Sequence, residues 1–483
     1  SQASTSPSPC AILGPQQQEA SLRATPAHLS ARFGYGRAPG LPDPARPEDL
    51  LAPLTGPDRA AARFPIPRFA DLRPEAQELQ RITRAARKAA EPERSRLLEQ
   101  RREMRRTSRL RQAAALGATL ARAAHSGDPL RERLARFWAD HFTVIGRNFF
   151  LRGAVTAYVE EAIRPHVAGR FADMLKAAIL HPQMLLYLDQ SASVGPNSRA
   201  ARQRPGRGLN ENLARELLEL HTIGVAGGYA QADVRQLAEL LAGLTGNAPR
   251  GVRFTPGRGE PGPETVLGRS YGGRMPRIAD IHAVLDDLAR HPATARHVAA
   301  KLATHFVADA PDPALVDHLA ARFAATDGDL AEVTAALLTH PAALQPTLAK
   351  AKRPFDFVAS ALRALAVPGE ALIALRPHPA RIHLAGPLEL MGQPWESPQG
   401  PDGWPEGATH WITPQGLAAR IDWALALPGL ARRTGAVLPD PRAFVDTALG
   451  PLAGAAVRFA ASAAETRQEG LALVLAAPEF QRR

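Results

Sequence analysis

The stretch Asn210-Glu-Asn-Leu-Ala-Arg-Glu-Leu-Leu-Glu-Leu-His221-Thr-Ile-Gly224 constrains this chain more than any other. Gly206 and Gly208 precede it, and Asn210 stands where a helix N-cap is wanted, because its carboxamide oxygen accepts an orphan backbone N–H. Gly224 supplies the left-handed residue that ends a helix. At helical spacing Leu213, Ala214, Leu217 and Leu220 share one face, and Glu211, Arg215 and Glu219 form an i, i+4 ladder opposite. His221 lands among the apolar positions rather than the charges. A chain organised around such a segment buries helix faces against one another.

The remaining 483-residue sequence repeats that logic. Aromatics make up 5% of it, β-branched runs are scarce, and Ala, Leu and Arg dominate, which favours helix nearly throughout. Hydrophobic content of 45% and charged content of 22% are those of a globular protein. Residues 1–27, rich in Ser, Pro and Gln without periodicity, read as a disordered leader. Residues 28–483 read as one all-α, bundle-like domain. Its long Gly/Pro/Trp-rich loops fall at about 191–208, 247–277 and 386–414, the second with room for one small β-hairpin. Helices are expected over Ala154–Ile163, Gln231–Leu244, Pro292–Phe306 and Pro354–Leu365, among others.

Net charge of +12 invites a nucleic-acid partner, but only five of the 59 basic residues are lysines and the arginines are spread along the chain. The one dense run, Arg81 to Arg111, is interleaved with glutamates and reads as a solvated helix. Without aromatic interleaving or a binding module, no nucleic-acid partner is expected. Cys10, the only cysteine, excludes an internal disulfide and a thiolate metal cluster. No apolar run approaches the ~18 residues of a membrane span, so no transmembrane segment is expected. The opening Ser1, without a signal-type apolar run, fits a mature or trimmed chain.

Several pieces together resemble a known family: Phe137-Trp-Ala-Asp-His-Phe-Thr-Val144, the Asn210–Gly224 stretch, Gly228-Tyr-Ala-Gln-Ala-Asp-Val234, Thr265-Val-Leu-Gly268, His291-Pro-Ala-Thr-Ala-Arg296 with Lys301 and His305-Phe-Val307, Lys352-Arg-Pro-Phe355, Met391-Gly-Gln-Pro394, Gly403-Trp-Pro405 and Pro478-Glu-Phe-Gln481. The chain resembles, over nearly its whole length, the bacterial family catalogued as domain of unknown function 1800. The resemblance implies an all-helical bacterial protein, often exported, commonly encoded beside a second family that resembles sulfatases. It implies no activity. Asn247 stands where the family usually has Trp. Gly259-Glu260 and Glu264 stand where many members carry a His-Asp or His-Glu pair with a lysine, and position 221 is often Phe in relatives.

Candidate site residues come from polar groups on apolar faces. His141, His221 and His305 each fall on one, and with Asp140, Glu211, Glu216 and Glu219 they suggest a divalent metal held between facing helices. Glu216 and His221 are five apart, so one helix does not present both cleanly. The reading that follows is a polar pocket between the His141 helix and the 210–221 helix. Glu216, His141 and Asp140 would carry general acid–base chemistry, and His141, Glu216 and His221 a metal. Asn210, Glu211, Asn212, Arg215, Arg147 and Trp404 would hold a small polar or anionic ligand that is hydrolysed or oxidised. One alternative is a non-catalytic scaffold or partner of an exported sulfatase-like protein. Another is carbohydrate binding, which requires Trp395, Trp404 and Trp411 exposed together. Glu389, Glu396, Asp402 and Glu406 lie near those tryptophans and are of the type that pairs in glycoside hydrolysis. The arginine-rich loop from Arg199 to Gly208 reads as solvated or as an anion site at a helix start. Nucleotide, zincin and serine-hydrolase signatures are lacking.

Overall fold

The computed structural model describes residues 24–204, 206 and 208–483. The expected leader therefore lies mostly outside the described residues, and its boundary moves inward. Ala24 already donates its backbone N–H to Leu344 O at 2.9 Å, and the first helix runs Pro26–Phe33.

Helices dominate, accompanied among the described residues by two two-stranded antiparallel sheets. Apolar side chains gather mainly in two cores. The larger is built from Leu29 to Ala343. The second is built from Phe355–Phe480 and closed by Tyr35 and Leu116–Ala124. The Glu93–His125 helix, 33 residues and about 50 Å long, serves both purposes its sequence advertises. Its first turns are solvated and carry i, i+3 pairs such as Arg96–Glu93 and Arg102–Glu99. Its last turns, Ala113–Ala124, are buried.

The 210–224 segment departs from regular helix in an informative way. Asn212–Glu216 is α-helical, but Leu217–His221 forms a wider π turn. The extra residue in that turn advances the phase, so Leu218 is buried and Leu220 only half-buried, reversing the expected pair. His221 stays on the buried side. Gly224 ends the element as expected, with φ +81° and its N–H on Leu218 O.

The Gly/Pro-rich region holds two hairpins rather than one. Leu244–Asn247 pairs with Gly251–Phe254, so the preceding helix stops at Leu241, and Gly262–Val266 pairs with Arg269–Gly273. The second hairpin turns on Leu267 and Gly268, both at positive φ, as a two-residue turn requires. Two expected loops also contain helix. Ser198 caps Arg199–Gln203, and the 386–414 region opens with helix Gly386–Leu390 and carries a helical turn at Ala408–Trp411. Chain 391–407 remains irregular and lies over the boundary between the two cores.

Candidate active site at the seam of the two cores

The helix Pro129–His141 begins with Asp128, whose carboxylate accepts the Arg131 N–H, and with Pro at its first position. It buries Leu130, Leu134, Phe137 and Trp138 in the larger core and brings Arg133, Asp140 and His141 to the seam. There Asp140 accepts from Arg353 Nη1 (2.8 Å) and from the Trp404 N–H (2.8 Å). Arg353 Nη2 donates to Glu406 (2.6 Å) and to Trp404 O (3.1 Å). Glu406 also pairs with His305 Nδ1 at 2.7 Å and Lys350 Nζ at 3.2 Å. Lys350 in turn reaches Asp309 at 2.5 Å. Deeper still, Arg133 joins His305 Nε2 (3.0 Å) to Asp356 (2.9 Å).

Buried charges persist only when paired, and here each core supplies the counter-charge for the other. Arg353 and its neighbours hold the Glu406 carboxyl well below its ordinary value despite burial. Gly403 makes the junction sterically feasible. It sits at φ +78°, and a Cβ there would fall 2.5 Å from Asp140 Oδ1 and 2.7 Å from its carbonyl oxygen.

His141 and His221 meet, as the sequence suggested. Each ring bonds the other's backbone: His141 Nε2 to His221 O at 3.2 Å, and His221 Nδ1 to His141 O at 2.9 Å. A carbonyl only accepts, so both of these nitrogens carry a hydrogen. Burial lowers both rings, His141 well below its ordinary value and His221 to about 3. His297 is bound the same way, through Nε2 to Leu220 O at 3.1 Å. These imidazoles tie the π turn to the helices beside it. Among the described residues no group of three or more His, Cys, Asp or Glu is arranged to hold a metal ion, and the expected set His141, Glu216 and His221 is not brought together as ligands.

One helix turn from His297, on the same face of the Pro292–Phe306 helix, stands Lys301. Its charge is felt by His141, His221 and His297, and it feels Asp140, Glu406, Asp402 and Arg353. Burial lowers its pKa. Asp140 and Glu406 are engaged by Arg353, and among the described residues Lys301 makes no hydrogen bond or ion pair. Three further groups share that condition. Glu216 is half-buried, its pKa raised by burial and by the charges of Glu219 and Asp402. Tyr187, half-buried, is raised by burial and by Glu216. Asp402 is exposed and lies within electrostatic reach of Glu216, Tyr187 and Lys301. Polar groups that fold a protein are normally paired. Unpaired groups that share one electrostatic neighbour, Asp402, are ones a ligand could pair.

The other expected ligand contacts are distributed differently. The N-cap position falls on Glu211, not Asn210; the Asn210 Oδ1 accepts the Asn212 N–H at 2.9 Å and its Nδ2 donates to Leu188 O at 3.1 Å. Arg215 points away from Glu216, into a surface ladder with Glu219 at 3.2 Å and Glu211 at 3.5 Å, and Asn212 is exposed. These four residues cap and brace the helix. Arg147 forms a surface pair with Asp189, its Nη1 donating to both carboxylate oxygens (2.7 and 2.6 Å), within electrostatic reach of Tyr187. Trp404 borders the site through its backbone, as described. The three tryptophans are not exposed together. Trp411 is wholly buried with its Nε1 on Pro405 O, and Trp395 stacks on Phe355. Trp395 packs against the second core, so the joint exposure of the three rings that sugar stacking calls for is not seen. Glu406 is equally committed, and Glu389 sits at the surface with Arg381.

Sequence reasoning passed over Lys301, His297, Arg353 and Tyr187 as site residues. A usable signal existed for the first two: His297, Lys301 and His305 recur at i, i+4 and i+8 along one otherwise apolar helix face. Arg353 sits 213 residues from Asp140, beyond any local pattern.

The family pieces Phe137–Val144, Asn210–Gly224, Lys301, His305, Lys352-Arg353 and Gly403-Trp404 all converge on this seam. No curated protein and no solved structure matches the chain. The family described as Protein of unknown function (DUF1800) matches residues 28–482, nearly the whole chain, and the chain belongs to that family.

Proposed function

We propose that the surface over the seam binds a small polar ligand bearing an anionic group and transforms it by general acid–base chemistry. What supports the reading is that Lys301, Glu216 and Tyr187 are unpaired and each lies within electrostatic reach of the exposed Asp402, in a region where their neighbours are hydrogen-bonded. Lys301 would attract the anionic group. Burial and the charges of Glu219 and Asp402 raise the Glu216 carboxyl above its ordinary value, the direction a general acid needs. Tyr187 and Asp402 would fix the ligand's hydroxyl or amide hydrogens. Proton transfer is what these groups supply, so hydrolysis is the reaction class they fit best.

Thermal melts against a panel of small carboxylates, phosphates, sulfates and sugar acids test the reading, because a ligand that binds only the native state raises the transition. At least one should stabilise the native protein and fail to stabilise Lys301→Met. A panel without effect on the native protein, or one that shifts both proteins equally, refutes it.

A second reading, docking onto another protein, draws on a different observation. Leu417, Ile421 and Leu425 recur at i, i+4, i+8 along the Pro414–Arg433 helix and are 39%, 41% and 43% exposed. Ile382 and Leu390, also exposed, line the neighbouring groove of about 430 Å³, in which Asp422 is the one acidic residue. A contiguous apolar face of this kind marks contact surfaces. A sulfatase-like protein, with both proteins exported, is the partner the family resemblance suggests. Co-purification that survives Ile421→Glu would sink this assignment of the surface.

A further inference from the structure

We propose that the groove along the Pro414–Arg433 helix binds a long-chain fatty acid, its hydrocarbon chain in the groove and its carboxylate at Arg433. The site is separate from the seam. It is also separate from the outer face of the same helix, because Leu417, Ile421 and Leu425 do not line the groove. The inference therefore goes beyond both readings above.

The groove runs between this helix and the segment Arg381–Leu390. On the helix, lining positions recur every three or four residues from Gln415 to Leu430, and Arg433 continues that stripe by one turn. Trp423, Leu427 and Leu430 are buried and form the floor, while Ile382 and Leu390 are exposed on the opposite wall. The Trp423 indole N–H is already given to His383 O at 2.8 Å, so the floor has no donor left for a polar ligand. What it offers is apolar surface, which a hydrocarbon covers.

Size selects among apolar occupants. From Gln415 to Leu430 the helix rises about 22 Å, so a groove of about 430 Å³ has a mean cross-section of about 20 Å². An α-helix, about 10 Å across with its side chains, needs roughly four times that section. Carbon atoms in contact stand about 4 Å apart, so one polymethylene chain matches it.

Charge sets the direction of the chain. Arg433 Nη2 donates to His383 Nε2 at 3.1 Å, which holds the guanidinium at the end of the groove. Among the described residues neither Arg433 nor its neighbour Arg432 has a carboxylate partner, and two full charges outweigh the roughly half negative charge of the helix C-terminus. Asp422, the one acidic residue in the lining, precedes Arg433 by about 16 Å of helix and repels a carboxylate placed midway. The head group is therefore accepted at the Arg433 end, with the chain running towards Gln415.

Trp423 makes the contact readable. Of the five tryptophans only Trp423 lines the groove, and a brominated chain quenches an indole that it touches. The native protein is titrated with dibrominated stearate below its micelle concentration. Quenching should saturate and should vanish in Trp423→Phe. Half-saturation should rise about three- to tenfold in Arg433→Glu and should not rise in Asp422→Asn. Ala418→Phe, which fills the groove, should abolish binding. Ala418 and Arg433 are exposed, so their variants leave the core intact. Four results overturn the proposal: absence of quenching, quenching that survives Trp423→Phe, equal affinity for the acid and its methyl ester, or an affinity indifferent to Arg433→Glu. Binding to phosphatidylglycerol vesicles without binding of the free acid also overturns it, and makes this face a membrane contact instead. None of these results bears on the seam.

Discussion

Replacing Gly403 with alanine tests whether the seam depends on a backbone approach that only glycine permits. Two costs add. A residue with a side chain in the left-handed region loses about 1–2 kcal/mol. The new Cβ would stand 2.5 Å from Asp140 Oδ1 and 2.7 Å from Asp140 O, and the latter is backbone that cannot rotate aside. Relieving that contact must lengthen the 2.8 Å bond from the Trp404 N–H to Asp140, a hydrogen bond to a charged acceptor worth about 1.5–3 kcal/mol. The expected loss is therefore about 2.5–5 kcal/mol, less about 0.4–1 kcal/mol for the stiffer unfolded chain. Gly435→Ala provides the control. Gly435 has φ +89° with nothing within 4 Å of its virtual Cβ, so it should suffer the backbone cost alone. Urea unfolding followed by tryptophan fluorescence reports the seam directly, because the Trp404 and Trp411 rings lie 6.1 Å apart. If the two variants lose the same stability, the close approach at Asp140 carries no energetic weight and the seam argument fails.

Three further outcomes follow from the same geometry. Arg353→Met should cost about 3–5 kcal/mol by urea unfolding, since it strands Asp140 and Glu406 without their shared cation; a loss under about 1 kcal/mol would mean water already screens the pair. Burial and the neighbouring Glu239 push the Glu264 carboxyl up to about 8. The folded state thus holds a proton that the unfolded chain releases near the ordinary Glu value of ~4.3, so this group's contribution is full below that value and declines as pH rises to about 8. Melting temperatures of Glu264→Gln should fall less steeply with pH across that window, and an unchanged slope contradicts the assignment. The sign reverses for His221, which burial lowers to about 3: its contribution is full above ~6.5 and is lost on acidification. His221→Phe should flatten the fall in melting temperature between pH 7 and 5, and a parallel acid limb would show that other groups govern it.

Much of the architecture was legible because it is written in local signals. Caps and glycine stops bounded the helices: Asp128 starts the seam helix, and Gly224 ends the central one. Glutamates between arginines gave away the solvated half of the Glu93–His125 helix, where each pair is worth only ~0.2–0.5 kcal/mol. The hairpin at Leu244–Phe254 was missed because Thr245-Gly-Asn, with Pro249 and Gly251, offers turn residues but almost no alternation. The misplacement of Leu220 has a similar cause. A π turn inserts one residue of phase, and periodicity counted at 3.6 residues per turn has no means of announcing where the insertion falls.

The site was half legible for a related reason, and the arginines explain it. By composition they look like a solvated positive surface, yet Arg32, Arg122, Arg133, Arg353, Arg420 and Arg483 are all almost fully buried. Guanidinium serves this purpose better than ammonium, since its planar fork can serve two carboxylates at once, as Arg353 does with Nη1 on Asp140 and Nη2 on Glu406. Such pairs join residues hundreds of positions apart, so each partner looks like an ordinary surface charge until the fold places it. The same reasoning gives the lysines their meaning. Arginine performs nearly all the structural pairing, and two of the five lysines, Lys301 and Lys352, make no ion pair among the described residues; burial lowers the pKa of both. His297, Lys301 and His305 share one helix face, the two imidazoles bonded and the amine between them free. That contrast, rather than any single motif, distinguishes the groups that build this protein from those that remain to act on something else.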